Sequence, residues 1–163
     1  MVAWWKMARA RKMREEVEQR YLAEWVAKNF PNAQKIFYQK ALGDLHYRLA
    51  SRSGLSPEWY ARYAKRPDAV VITPEEVVVV EAETRRPVIG LSELLVYKEL
   101  LPHTPDLKPY LIGRKTRLIL VTPLPDEDVI VECRRHGIEF VIYFPEWLEK
   151  HLIRWGVLPE ERG

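Results

Sequence analysis

Apolar residues recur along this chain with two periods, and the switches between them mark its elements. Residues 1–30 read as one helix of two characters. Its first half is basic, with Lys6, Arg9, Arg11, Lys12 and Arg14. From Val17 onward, Val17, Tyr21, Leu22, Trp25, Val26 and Phe30 gather on one side at about 100° per residue. Pro31-Asn32 stops the helix. Glu18 falls near the middle of the apolar side, whereas Glu24 points away from it and reads as solvated. Gln34 to Leu42 reads as a strand, Gly43-Asp44 as a turn, and Leu45 to Ala50 as either strand or short helix. Residues 51–54 read as loop. Ser56-Pro57-Glu58 then has the form of an N-cap followed by proline at the first helical position, opening a short helix through Arg66.

The stretch Arg66 to Leu101 organises the remainder. Two β-branched runs, Ala-Val-Val-Ile-Thr and Val-Val-Val-Val, flank the break Pro74-Glu75-Glu76, which is a hairpin signal. A helix follows, with Val88, Leu91, Leu94, Leu95 and Lys98 along one side, ending before Pro102. Residues 102–116 read as a proline-rich loop. Arg117 to Thr122 and Ile138 to Phe144 are nearly continuous apolar runs, as expected of strands buried on both faces. Between them lies a helix opened by Asp126-Glu127-Asp128 and closed by Arg134-Arg135-His136-Gly137, a charge order that complements the helix dipole. A last helix runs from Pro145 to Gly156. The order predicts an α/β fold with a mixed central sheet covered by helices on both faces. We read residues 1–16 as a basic helical extension, 17–156 as a single domain and 157–163 as a tail.

Composition changes this picture little. Hydrophobic residues are 47% and charged residues 30% of the 163, enough of each for a folded and hydrated domain. A net charge of +3 does not by itself argue for a polyanion partner, so the distribution of charge carries the argument. The single cysteine, Cys133, excludes an internal disulfide and a cysteine-based zinc cluster, and fits a reducing, cytoplasmic setting. The four histidines are scattered, with no pair at metal-ligand spacing. No apolar run reaches the length of a membrane span, and the Trp4-Trp5 end has no apolar region of the signal-peptide kind. That end has two uses open to it, as part of the basic helix or as an anchor for a partner or membrane surface. Few Asn and Gln beside many Arg, Glu and Pro lean towards a thermophile. The chain shows no internal repeat, no glycine-rich phosphate loop and no Ser-His-Asp arrangement, and nothing in it calls for a small-molecule cofactor.

Candidate chemistry sits in the hairpin. If Thr73 pairs with Val77 across the turn, Asp68 comes beside Glu81 and Ala82. Alternation along a strand puts Glu81 and Glu83 on one face. Three acids then converge at one hairpin end, and like charges kept together there call for a cation; hard oxygen ligands suit Mg²⁺ or Mn²⁺. For Glu18 two readings are open, a salt bridge at the helix edge or a fourth acid of the metal site. The segment Trp59 to Arg66 interleaves aromatics with Arg62, Lys65 and Arg66; it suits stacking and phosphate contact, or else Trp59 and Tyr63 pack inward and the bases are a solvated face.

Arg66-Pro67-Asp68, a dozen residues, then Val-Val-Glu81-Ala82-Glu83 and a helix containing Leu94-Leu95-Val96-Tyr97 resembles the PD-(D/E)XK nuclease superfamily. The element order from about Val17 to Phe144 is similar to its restriction-endonuclease-like core. The resemblance implies a Mg²⁺-dependent nuclease hydrolysing DNA, with branched or recombination intermediates among the candidate substrates. It implies that Asp68 and Glu81 hold the metal. It also makes Glu18 the first-helix acid of members resembling archaeal Holliday-junction resolvases. Tyr97 falls near a second-helix motif, and Arg85 and Arg86 stand where substrate phosphate would pass. Further phosphate contacts are expected from the basic N-terminus, from Arg62, Lys65 and Arg66, and from Lys108, Arg114 and Lys115. A homodimer fits the use of two sites to cut two strands.

The chain departs from the motif at Glu83, where the family has Lys. Three readings are open: Glu83 serves as base or second-metal ligand, a lysine such as Lys98 or Lys40 substitutes from elsewhere, or the site is degenerate and the domain only binds nucleic acid.

Overall fold

The computed structural model describes residues 3–161. Helix α1 spans Trp4–Asn29, and strand β1 spans Lys35–Tyr38. Helices α2 (Leu45–Ser53) and α3 (Pro57–Ala61) precede the hairpin strands β2 (Ala69–Ile72) and β3 (Glu76–Ala82). Helix α4 (Pro87–Leu100), the short α5 (Lys108–Leu111), β4 (Lys115–Thr122), α6 (Glu127–Arg135), β5 (Ile138–Ile142) and α7 (Glu149–Arg154) complete the chain. The five strands form one sheet in the order β1-β2-β3-β4-β5. The β1–β2 and β2–β3 pairs are antiparallel, while β3–β4 and β4–β5 are parallel. The chain therefore has the mixed α/β sheet that its pattern predicts, with helices on both faces.

Several boundaries differ from the sequence expectation. The first strand stops at Tyr38 rather than Leu42, because Gln39 takes a left-handed backbone with φ of 52°. Residues 45–53 are helical, which resolves the ambiguity there and absorbs most of the expected loop. The 102–116 loop contains α5, and β4 begins two residues before Arg117. The expected cap at Ser56 forms, its Oγ accepting from the Trp59 N–H, and Asp126 caps α6 in the same way, its Oδ1 accepting from the Val129 N–H.

The hairpin turn is one residue tighter than expected. Ile72, not Thr73, faces Val77. Thr73 instead closes the turn, donating its N–H to the Glu76 carbonyl at 2.9 Å and accepting the Glu76 N–H on Oγ1 at 3.0 Å. That leaves Pro74 and Glu75 as a two-residue loop. A one-residue slip moves a whole strand's side chains to the other face. The observed register continues Ala69↔Val80 to Asp68 beside Glu81, which puts Asp68 on the same face as Glu81 and Glu83.

Alternation sorts the sheet into two cores. Val70, Ile72, Val77, Val79, Leu118 and Leu120 pack under α4 and α6, through Leu91, Leu94, Tyr97, Val129 and Cys133. Ala69, Val71, Val78, Val80, Ile119 and Val121 pack under α1 and α7, through Tyr21, Leu22, Trp25, Val26 and Leu152. Counting on from Val77 and Val79, Glu81 and Glu83 belong to the α4 face. Before Val17, the described part of α1 has no buried residue. No helix among the described residues is long and apolar enough to cross a membrane.

Glu24 is a correction. It is not solvated, because its carboxylate accepts from the Tyr143 hydroxyl at 2.9 Å and the Trp147 indole N–H at 2.8 Å. These bonds hold the chain after β5 and the start of the last helical stretch against α1.

Candidate functional site

Strands β3, β4 and β5 run parallel, so their carboxyl ends share one edge of the sheet, where ligands of open α/β folds bind. A cleft of about 780 Å³ opens there between α1, the β1 end and α4. Six carboxylates line it: Glu15, Glu18, Asp68, Glu81, Glu83 and Glu93. Among the described residues, no lysine or arginine lines it.

Glu81, Glu83 and Glu93 form its centre, each offering a carboxylate oxygen within 4.8 Å of the others. Glu81 is 3% exposed. Glu83 follows the end of β3, held by its N–H bond to the Val121 carbonyl. Glu93 comes from α4, which lies close against the sheet because position 90 is glycine. A Cβ there would stand 2.5 Å from Leu120 Cδ1 and 2.8 Å from Glu83 Cγ. Tyr97, one turn after Glu93, donates its hydroxyl to the Arg66 carbonyl at 3.1 Å and lies 3.4 Å from Glu93 Oε2. Glu93 is the site residue that sequence reading missed. Gly90, Glu93 and Tyr97 share one helical face by their three- and four-residue spacings, and a glycine on an inward face was the available signal of a close approach.

Asp68 lines the cleft but is not one of the three closely grouped acids. Its oxygens serve the strand ends: Oδ2 accepts the Ala82 N–H at 2.9 Å, and Oδ1 accepts Gln39 Nε2 at 3.0 Å. Its own N–H donates to Glu81 Oε1 at 2.9 Å. Asp68 thus extends the β2–β3 ladder by side chain and aims Glu81. Glu18 reaches the cleft from α1, accepting the Thr84 hydroxyl at 2.9 Å, so it faces the acids rather than forming a salt bridge.

Burial dominates the electrostatics. It raises the pKa of Glu81, with Asp68 adding repulsion. Asp68 is raised by burial against the opposing Ala82 N–H bond. Glu83 is pushed up to about 8 by burial, then by the charges of Glu18, Glu93 and Asp68. Glu18 is raised by burial against the opposing Thr84 bond. The cluster therefore retains protons near neutrality unless a cation compensates it. An all-oxygen set of grouped carboxylates fits a hard divalent ion such as Mg²⁺ or Mn²⁺.

Neither candidate lysine lines the cleft. Lys98 is exposed on α4 and does not line the cleft. Lys40 pairs with Asp106 away from the acids. Among the basic residues, Arg85 and Arg86 are exposed just past Glu83. Arg62 and Lys65 are exposed, with the Arg62 guanidinium 3.8 Å from the Trp59 ring centre. Trp59 and Tyr63 are exposed rather than packed inward. Arg66 is committed to the chain, donating to the Gln39 and Ala61 carbonyls. Lys108, Arg114 and Lys115 lie away from the site. Lys115 pairs with Glu76 at the start of β3, roughly 17 Å along the strand before Glu81. The parallel pairing of β3 and β4 dictates this separation. Arg114 further donates to the Thr73 carbonyl and to Gln34.

No protein-family model matches the chain, and no curated protein matches it in sequence. Among solved structures it is similar to the crystal structure of a repair endonuclease from Pyrococcus abyssi, with a TM-score of 0.46 and 20% identity. The similarity covers 80% of this chain and 47% of that one, so the chain spans about half the length of that protein.

Proposed function

We propose that the chain is a divalent-metal-dependent phosphodiesterase acting on DNA. The grouping of Glu81, Glu83 and Glu93 oxygens at the carboxyl edge of the sheet carries this reading. Glu81, Glu83 and Glu93 would hold the ion, with Glu18 and Asp68 around them. When bound, a divalent ion offsets charge on a phosphate and lowers the pKa of water.

The chain's own residues do the rest. Asp68 fixes Glu81 through its N–H, and Tyr97 positions Glu93. Burial and the neighbouring acids favour the protonated form of Glu83, and a divalent ion beside it would favour the carboxylate, which could then take a proton from an attacking water. Arg85 and Arg86 stand at the mouth for the phosphates on either side of the scissile bond.

A second reading is a nucleic-acid-binding relative without catalysis. It is favoured by the absence of any lysine or arginine from the cleft lining, where the superfamily motif has Lys in place of Glu83. Incubation with supercoiled plasmid and branched DNA, with Mg²⁺ or Mn²⁺ and with chelator, separates the two. Metal-dependent nicking that Glu81→Gln removes is the expected result. Retarded mobility without any cleavage would overturn the enzymatic reading.

A further inference from the structure

A second groove, about 790 Å³ in volume, lies between the first turns of α1 and helix α7. Trp4, Arg11, Arg14, Arg85, Arg154 and Trp155 line it, and among the described residues no carboxylate does. We infer that this groove binds an unpaired polynucleotide strand and leads it into the acidic cleft. The inference deepens the phosphodiesterase reading and rests on it for what happens at the acids.

Three observations carry it. The first is continuity. Arg11 lines the groove, Glu15 lines the cleft, and the two are bonded at 3.0 Å across the boundary. Arg14 lies one turn before Glu18, and Arg85 follows Thr84, whose hydroxyl holds Glu18. A polyanion lying on the arginines therefore has its next phosphates at the acids.

The second observation is sign. Arg11 is already paired with Glu15, but Arg14, Arg85 and Arg154 have no carboxylate within ion-pair distance among the described residues and suit a row of phosphates, each neutralised with release of its counterions. The third is the aromatic lining. Trp4 is 79% exposed, an apolar ring held in solvent beside the arginines. Across the groove the Trp155 ring lies 5.8 Å from that of His151, one turn earlier on α7. Base faces in a duplex are covered by their neighbours, so such rings meet bases only on an unpaired strand.

The test uses the full chain in chelator, where no cleavage occurs. Anisotropy of a labelled oligothymidylate, against a duplex of equal length, is followed across a salt series. The single strand should bind more tightly than the duplex. Trp4→Ala, at a site too exposed to unfold the domain, should weaken single-strand binding about tenfold. Trp155→Ala should do the same and Trp155→Phe should recover most of it, which separates stacking from packing. Arg85→Ala should lower the salt slope by about 0.7. Unchanged affinity in Trp4→Ala and Arg85→Ala overturns the inference. So does duplex binding as tight as single-strand binding. It also falls if the groove variants dissolve a dimer, or release the protein from anionic vesicles, without moving oligothymidylate binding. Cleavage is read separately with metal. Groove-dependent binding without any cleavage leaves the groove standing and removes the phosphodiesterase reading. Cleavage with groove variants binding normally does the reverse.

Discussion

Two clefts of nearly equal size, about 780 and 790 Å³, meet along α1 and differ in sign. One is lined by six carboxylates, the other by four arginines. They differ as much in burial as in charge. Of the groove arginines, Arg11, Arg14 and Arg154 sit on helices and Arg85 in the bend after β3, exposed or half-buried, where salt screens their charge. The acids lie where the sheet ends against α1 and α4, so their charge depends on pH and on a cation. One helix supplies both environments because only its second half, from Val17, packs on the sheet. The groove suits holding a polyanion at any pH, whereas the cleft suits chemistry that a metal switches on.

The largest break in this comparison comes from the cleft. Glu81→Gln should abolish metal-dependent cleavage while oligothymidylate binding in chelator stays at wild-type strength, because phosphate contacts lie elsewhere. Cleavage at the wild-type rate would remove the acids from the mechanism. Glu83→Lys tests the proposed reading at the position where the motif that the sequence resembles has Lys. If Glu83 works as ligand or base, the change should lower cleavage by about two to four orders of magnitude. If the site is degenerate, the same change restores the motif and should raise cleavage from background. We expect the fall, since four or more crowded acids are costly to maintain without a cation.

Gly90→Ala should act at a distance from the metal. An added methyl meets Leu120 Cδ1 and Glu83 Cγ, so α4 or Glu83 must shift. Overpacking of this kind costs about 1–3 kcal/mol, and a displacement near 1 Å at a reacting group costs about a hundredfold in rate. Thermal melting and a cleavage assay check the two effects. A variant that melts and cuts as wild type would mean that α4 need not lie so close.

These variants also mark where the sequence was readable. The two periods identified α1, the valine-rich strands and the sheet buried on both faces, because each is long and its pattern unbroken. Tyr21, Leu22, Trp25 and Val26 are buried as the 3.6-residue period requires. Asp68, Glu81, Glu83 and Glu18 do reach one cleft, since local alternation and one helical stripe suffice to direct them. The turn was not readable to one residue, because Thr73 closes it through its own backbone and hydroxyl. Glu93 was hidden because it lies in an ordinary helix, and only the tertiary approach through Gly90 brings it to the strand end. Lys108, Arg114 and Lys115 were misplaced for the same kind of reason: their charge is local, but their distance from the acids follows from parallel strand pairing.

Glu18→Gln sharpens the boundary between the two clefts. Gln keeps the helix propensity and can still accept from Thr84, so folding should be unchanged. Loss of one carboxylate from the cleft should weaken Mn²⁺ binding about tenfold, as for residues just outside a metal's direct ligands. Calorimetric titration reads this directly. Unaltered affinity would make Glu18 a structural partner of Thr84 and no more.

The smallest effect is on stability, and its sign is diagnostic. In the metal-free protein Glu83 holds its proton up to a pH of about 8, whereas in the unfolded chain it releases it near the ordinary 4.5. Between those values the folded state binds more protons than the unfolded state, so stability falls as pH rises. Glu81, Asp68 and Glu18 are shifted upward too and act in the same direction. The Glu83 contribution is fully present below about pH 4.5 and gone above about pH 8. Melting of the chelated protein should therefore show a temperature that declines across this window, and Glu83→Gln should flatten the decline. Divalent metal binds the deprotonated acids, so it should oppose the decline most strongly at the alkaline end, with release of protons. At a hundred times its dissociation constant it contributes about 2.7 kcal/mol, or roughly 5–10 °C for a chain of this size. The groove acts in the opposite sense, because burial, then the charges of Lys150, Arg154 and Arg20, hold His151 below the usual imidazole range, so its contribution grows as pH rises through that range. A metal-free melting temperature that holds steady or climbs from pH 5 to 8, in wild type and Glu83→Gln alike, would show that the acids are ordinary solvated carboxylates and that the two clefts differ in sign alone.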